Sequence, residues 1–290
     1  MINYNSSSSL KTFLDQEGLG MQKKFGQNFL VNPSVRQTLV EKLAAPFGDE
    51  VWEIGPGLGA MTSILLEKGL KVRAFEVDKG FMRILKQLFS GNENFIPVEG
   101  DVLKTHLAHC PDKKARFLFG NLPYNIAAFL LAQFIEEDCL FERMVITVQK
   151  ETALRMAASW GSPDYSSLSV LCACAYKVKP FITIKPSSFF PQPNVDSMGV
   201  LFENKNAELR PVIFTPLVRA LFSSRRKMIK NNLSNFVSSV MLSADKDICE
   251  SILSENSLTG SERAENLEPE VFLSLAKSIE NMRKLKKGCQ

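Results

Sequence analysis

The chain has 290 residues, 45% hydrophobic and 23% charged, a composition that fits a globular protein with one large domain or two ordinary ones. No apolar run reaches the roughly 18 residues that a membrane helix needs, and the start MINYNSSSSLKTFLDQEG lacks the basic-then-apolar order of a secretory signal. The formal net charge of +4 is too mild to imply nucleic acid by itself, and the six cysteines, none in a CxxC pair, read as free thiols in a reducing cytoplasm.

In chain order, residues 1–21 are polar and Ser-rich and read as a flexible tail. Asn32-Pro33 starts a helix, since Asn caps well and Pro suits the first turn, and Val35, Leu39 and Leu43 share one face of it. VWEIG is a strand, 60–68 a helix, 71–78 a strand and GFMRILKQLF a helix. NFIPVEGD ends a third strand at Asp101, RFLFGNLPY a fourth at Gly120, ERMVITVQ is a fifth, and SLSVLCACAY reads as a sixth. Such alternation predicts an α/β fold, a mostly parallel sheet with helices on both faces. After about Asn204 the pattern turns helical through FTPLVRALFSSRRKMIKNNL, DKDICESIL and EPEVFLSLAKSIENMRKL, which predicts a small all-α domain over 206–290 behind a catalytic domain over 22–205.

The first strand runs into Glu53-Ile54-Gly55-Pro56-Gly57-Leu58-Gly59, a loop whose glycines permit a tight turn and close approach of a ligand to the backbone. Glu76 closes the next strand, about 20 residues on, where a carboxylate accepts from ribose hydroxyls. The G-x-G-x-G spacing suits S-adenosylmethionine better than the pyrophosphate of a nicotinamide cofactor, and Asp101 stands where it could accept from the adenine amine. Asn121-Leu122-Pro123-Tyr124 follows the fourth strand, at the sheet end where α/β folds bind ligands. Adenine's exocyclic amine is a poor nucleophile, with its lone pair delocalised into the ring. Asn121 offers a side-chain carbonyl to hold its hydrogens, Leu122 a backbone carbonyl, Pro123 a stiff turn and Tyr124 a ring for stacking. His106 and His109, beside Cys110, have no companion ligands, so no metal site is expected.

These residues, with Lys24 to Leu30, Gly100-Asp101, the Phe189 to Ser197 segment and Ser224 to Lys227, resemble the KsgA/RsmA family of ribosomal RNA adenine dimethyltransferases, related to the Erm methylases. The resemblance runs from about residue 22 into the C-terminal domain and implies a Rossmann-like class I methyltransferase fold. It also implies that Asn28 and Leu30 close over the cofactor, that Gly55, Gly57, Glu76, Asp101 and Asn121 line its pocket, and that Phe189 stacks on the target base opposite Tyr124. The implied activity is dimethylation of two adjacent adenines near the 3′ end of small-subunit ribosomal RNA, in an assembling subunit, by an enzyme needing no more than a monomer. A large-subunit Erm-type enzyme and a non-catalytic ribosome-assembly factor are the alternatives. Asn194 stands where the family often has a basic residue. Arg225, Arg226, Lys227 and Lys230 are read as a basic cluster on a helix that meets RNA phosphates, and the base must leave its stack to reach Tyr124.

Overall fold

The structure, a computed structural model, describes residues 2–20, 27–109, 116–123, 126–205, 210–224, 226–241 and 246–288. The chain divides into two compact units, Met1–Gln133, Cys139–Ala153 and Lys177–Asn204 in one, Phe134–Asp138, Leu154–Tyr176 and Lys205–Gln290 in the other. The helical unit therefore takes two earlier pieces as well as the chain after residue 205.

The first unit begins with α1 (Ser7–Gln16), then β1 (Phe29–Leu30) and α2 (Pro33–Leu43). The alternating core follows as β2 (Glu50–Ile54), α3 (Ala60–Glu67), β3 (Lys71–Glu76), α4 (Lys79–Leu88), β4 (Phe95–Glu99), α5 (Val102–His109), β5 (Phe117–Asn121), α6 (Ala127–Glu136) and β6 (Arg143–Gln149). After α7 (Lys150–Met156) and α8 (Ser167–Ala175) come β7 (Tyr176–Ile184), β8 (Phe189–Phe190) and β9 (Ser197–Asn204). Seven strands form one sheet in the order β4-β3-β2-β5-β6-β9-β7. β2 to β6 pair in parallel with their sheet neighbours, and β9 runs antiparallel to β6. β1 and β8 form a separate antiparallel pair, Leu30 opposite Phe189.

The strands are apolar runs because both sheet faces are covered. On one face Val51, Val72, Ala74, Phe117, Phe119 and Val145 pack with Leu39 and Leu43 of α2 and Leu65 of α3. On the other, Trp52 packs its ring against Phe75 and Phe141, with centroids 4.7 Å and 5.4 Å away. Asn32 caps α2 as expected, its side-chain oxygen accepting from the Val35 N–H at 3.1 Å, with Pro33 in the first turn. The chain lays β3 and β4 on one side of β2, then β5 and β6 on the other. The carboxyl ends of β2 and β5 thus flank the switch point where open α/β sheets bind ligands.

Three expectations need correction. Residues 2–20 do not form a loose tail. Ser6 caps α1, and Leu10 and Leu14 are buried with Val31, Leu58, Phe81 and Ile84. The run SLSVLCACA is the helix α8, not a strand. A short apolar run fits either a buried strand or a buried helix, and the Ser166–Ser169 capping box decides for the helix. Cys172 and Cys174 are both buried and free, on different sides of that helix. The stretch from Phe214 is two helices, α9 (Phe214–Phe222) and α10 (Ile229–Met241), followed by α11 (Lys246–Glu255) and α12 (Pro269–Gly288). Within the helical unit Phe222 stacks on Phe272 at 5.7 Å, and the Asn232 amide donates to the Leu221 carbonyl at 2.9 Å. Among the described residues no helix is long and apolar enough to cross a membrane.

Candidate active site

β2 delivers the chain into the glycine loop, and α3 starts immediately after Gly59. Gly57 has φ 58°, and a β-carbon there would lie 3.0 Å from the Phe29 ring, so two separate constraints select glycine. At Gly55, φ is 67° and a β-carbon would meet nothing within 4 Å, because the backbone there faces an open cavity.

That cavity has a volume of about 280 Å³ and lies at the carboxyl ends of the central strands. Asn28 and Leu30 line it from the β1 segment, Gly55 and Gly57 from the loop, Glu76 and Asp101 from the ends of β3 and β4, and Asn121 and Pro123 from β5 and its turn. The cofactor residues expected from the sequence are therefore brought together. Leu122 does not contribute its side chain to the wall. Its side chain is buried, and its N–H donates to the Thr147 carbonyl at 3.1 Å, which holds the turn against β6.

Two buried carboxyl groups sit beneath the loop. Glu76 accepts from the Gly57 N–H at 3.1 Å and the Asp78 N–H at 2.9 Å, so it braces the loop as well as lining the cavity. Burial raises its pKa to about 7 in spite of those two donors. Glu53 accepts from the Thr62 hydroxyl at 2.6 Å, and burial, reinforced by the charge of Glu76, raises its pKa to about 8. Asp78 has a different task, capping α4 through the N–H groups of Gly80 and Phe81. Asp101 caps α5, accepting from the Leu103 N–H at 3.1 Å, while its carboxylate still borders the cavity.

The Asn121 amide donates to the Asn28 backbone carbonyl at 2.7 Å. This bond fixes the amide plane of a residue that lines the cavity, and it uses the amide's donor side rather than its acceptor oxygen. The Pro123 carbonyl accepts from the N–H groups of Ile126 and Ala127, at the start of α6. Tyr124 lies outside the described residues. Phe189 is 1% exposed and packed in the main core with Leu30, its ladder partner, and it does not line the cavity. The expected stacking face is thus taken up by core contacts in this structure. Sequence reading missed Tyr4, Leu10 and Glu53 in the wall. The signal for α1 was present in Ser6 as a cap and Leu10 and Leu14 four apart, but serine-rich composition hid it.

The basic residues are less regular than expected. Arg226 and Lys227 are exposed in the turn between α9 and α10, Lys230 pairs with Glu250 at 3.1 Å in the first turn of α10, and Arg225 lies outside the described residues. The glycine-free stretch SSRRKM is compatible with one continuous helix, but Asn232 donates back to the Leu221 and Ser224 carbonyls and closes the turn. His106 bonds the Val102 carbonyl and His109 meets Arg73, which gives both histidines structural partners.

Residues 18–280 match the family described as ribosomal RNA adenine dimethylase. This chain belongs to that family. Among dimethylase relatives, the ribosomal RNA small subunit methyltransferase A of Treponema denticola is 46% identical over 283 residues, 96% of each chain. The protein of the same name from Borrelia garinii subsp. bavariensis is 39% identical over 281 residues, covering 96% of this chain and 95% of its own. Among solved structures, a dimethyladenosine transferase from Plasmodium falciparum superposes with a TM-score of 0.71 at 27% identity, over 87% of this chain and 97% of that one. Family membership fits the site: the Asn121 side chain, the Glu76 and Asp101 carboxyl groups and the glycine backbone of Gly55 and Gly57 surround one cavity.

Proposed function

We propose that the protein transfers methyl groups from S-adenosylmethionine to the exocyclic amines of two adjacent adenines near the 3′ end of small-subunit ribosomal RNA, in an assembling subunit. The observation that carries this reading is the Asn121 side chain, held by its amide bond to the Asn28 carbonyl and lining the same cavity as Glu76 and Asp101. The names of the Treponema and Borrelia relatives support the small subunit over the large one.

The cavity fits the methyl donor on its own chemistry. Glu76 offers acceptors suited to ribose hydroxyls, Asp101 an acceptor for an adenine amine, and Gly55 an open backbone against which a ligand can lie. When bound, S-adenosylmethionine supplies an electrophilic methyl group on a sulfonium. The chain's own contribution is orientation. Asn121 Oδ1 accepts one amine hydrogen of the target adenine, the Leu122 carbonyl accepts the other, and the nitrogen lone pair turns out of conjugation toward the methyl carbon. Pro123 holds the two acceptors in one rigid turn. Tyr124 stacks on the base; as the methyl carbon bonds to the amine nitrogen, its bond to the sulfonium sulfur would break, and the amine proton would leave to water. Most of the acceleration comes from positioning. Phe189 anchors the β1–β8 pair behind Asn28, so it acts on the base through the cavity wall. The helical unit supplies the RNA face, with Arg225, Arg226, Lys227 and Lys230 toward phosphates.

The test is methyl transfer from labelled donor to undermethylated small subunits, with large subunits in parallel and mass spectrometry of the nucleosides. Dimethyladenine in the small subunit alone is expected. Dimethyladenine confined to the large subunit would assign the protein to the Erm-type activity, and no transfer to either, with cofactor bound, to a non-catalytic assembly role.

A further inference from the structure

We infer that the amino-terminal segment, residues 2–20, is a built wall of the cofactor cavity, and that Tyr4 and Leu10 contact the amino-acid end of the bound S-adenosyl ligand. This rests on the cofactor reading above. The family match begins at residue 18, just after α1.

Three anchors hold the segment in place. Tyr4 donates its hydroxyl to the carbonyl of Leu58, inside the glycine loop, at 2.9 Å. Arg36 of α2, 5% exposed, donates from one nitrogen to the carbonyls of Tyr4 at 3.1 Å and Leu30 at 2.7 Å, and from the other to the Asn5 side chain. One guanidinium therefore ties the segment to β1, the strand that follows Asn28. Further along, Leu10 and Leu14 are buried with Leu58, Phe81 and Ile84, and Glu17 pairs with Arg83 of α4 at 3.1 Å. Burial pushes the Tyr4 phenol above its ordinary pKa, as expected for a ring held away from water.

Both Tyr4 and Leu10 line the cavity. In the reading above, Glu76 and Asp101 face adenosine and Asn121 and Pro123 face the transferring methyl, which leaves the amino-acid chain of the ligand without a partner. Tyr4 is fixed to the glycine loop at Leu58, on a stretch of the wall that those four residues do not occupy. An apolar ring and a leucine there exclude water from the aliphatic part of that chain and slow its escape.

The experiment measures calorimetric affinity for S-adenosylhomocysteine and for 5′-methylthioadenosine, which lacks the amino-acid chain. The proteins are wild type, Tyr4→Ala, Tyr4→Phe and Lys11→Ala, the last on an exposed position of α1. Tyr4→Ala is expected to weaken S-adenosylhomocysteine by about tenfold, a loss equivalent to about 1.4 kcal/mol, and 5′-methylthioadenosine by much less. Tyr4→Phe, which keeps the ring and loses only the bond to Leu58, is expected to fall between Tyr4→Ala and wild type, and Lys11→Ala to match wild type. Removal of residues 2–17 is expected to exceed the effect of Tyr4→Ala. Equal losses for both ligands, or none for either in Tyr4→Ala, would overturn the contact. A wild-type protein that binds neither ligand would instead overturn the cofactor reading beneath it.

Discussion

Replacing Glu53 with Gln tests the electrostatics under the glycine loop most directly. Glu53 is buried, hydrogen-bonded to Thr62, and has its pKa raised from 4.5 to about 8. The folded protein therefore keeps this carboxyl protonated at pH values where the unfolded chain has released the proton. With a raised folded pKa, the stabilisation is fully present below the unfolded value and is lost as pH rises through the folded one. Each pH unit in that window is worth about 1.4 kcal/mol, so the wild type should lose about 4 kcal/mol from this group between pH 5 and 8. At about 2–4 °C per kcal/mol for a chain of this size, the thermal midpoint falls by roughly 10 °C. Gln is neutral throughout and still accepts from Thr62, so the variant should match the wild type near pH 5 and exceed it at pH 8. Glu76, raised to about 7, leaves a residual slope in both proteins that fades above pH 7. The assay is thermal unfolding by circular dichroism at half-unit pH steps, without added cofactor. Parallel wild-type and Glu53→Gln curves from pH 5 to 8 would refute the reasoning, since they would mean that Glu53 is charged in the folded state.

Asn121→Ala should reduce methyl transfer by two orders of magnitude or more, on the order of 3 kcal/mol of lost positioning, while calorimetry shows cofactor affinity changed only a few-fold. Near-normal transfer would remove Asn121 from the mechanism. Phe189→Ala opens the core behind the β1–β8 pair and should destabilise the fold by about 3–5 kcal/mol, read as a fall in midpoint urea concentration. An unchanged midpoint with lost transfer would return Phe189 to the base-stacking role. Changing Arg226 and Lys227 together to Ala should weaken binding to small-subunit RNA and reduce the slope of log affinity against log salt by about 2. An unaltered slope would place that turn in solvent, away from phosphates.

The strands β2 to β6 and the helices α2 to α4 were legible because each is short and of one period, and turn residues bound most of them. The cavity residues from Asn28 to Asn121 were legible because chemistry restricts what can stand at the carboxyl ends of β2 to β5. Other features depended on contacts between residues far apart in the chain. SLSVLCACA carries no period that separates strand from helix, and the burial of nearly every side chain in α8 is a tertiary fact. The break between α9 and α10 follows from Asn232 reaching back to Leu221. A serine-rich start looks solvent-exposed until Arg36, 31 residues beyond Asn5, and Leu58, 54 beyond Tyr4, are brought beneath it. The sequence by itself determined the five parallel strands β2 to β6 and the glycine loop, because local backbone chemistry suffices for those. Only the tertiary structure decided that Glu53 and Glu76 share a buried floor, that Phe189 belongs to the core and that the first residues wall the cavity, because burial and hydrogen-bond partners are set by what the folded chain brings together.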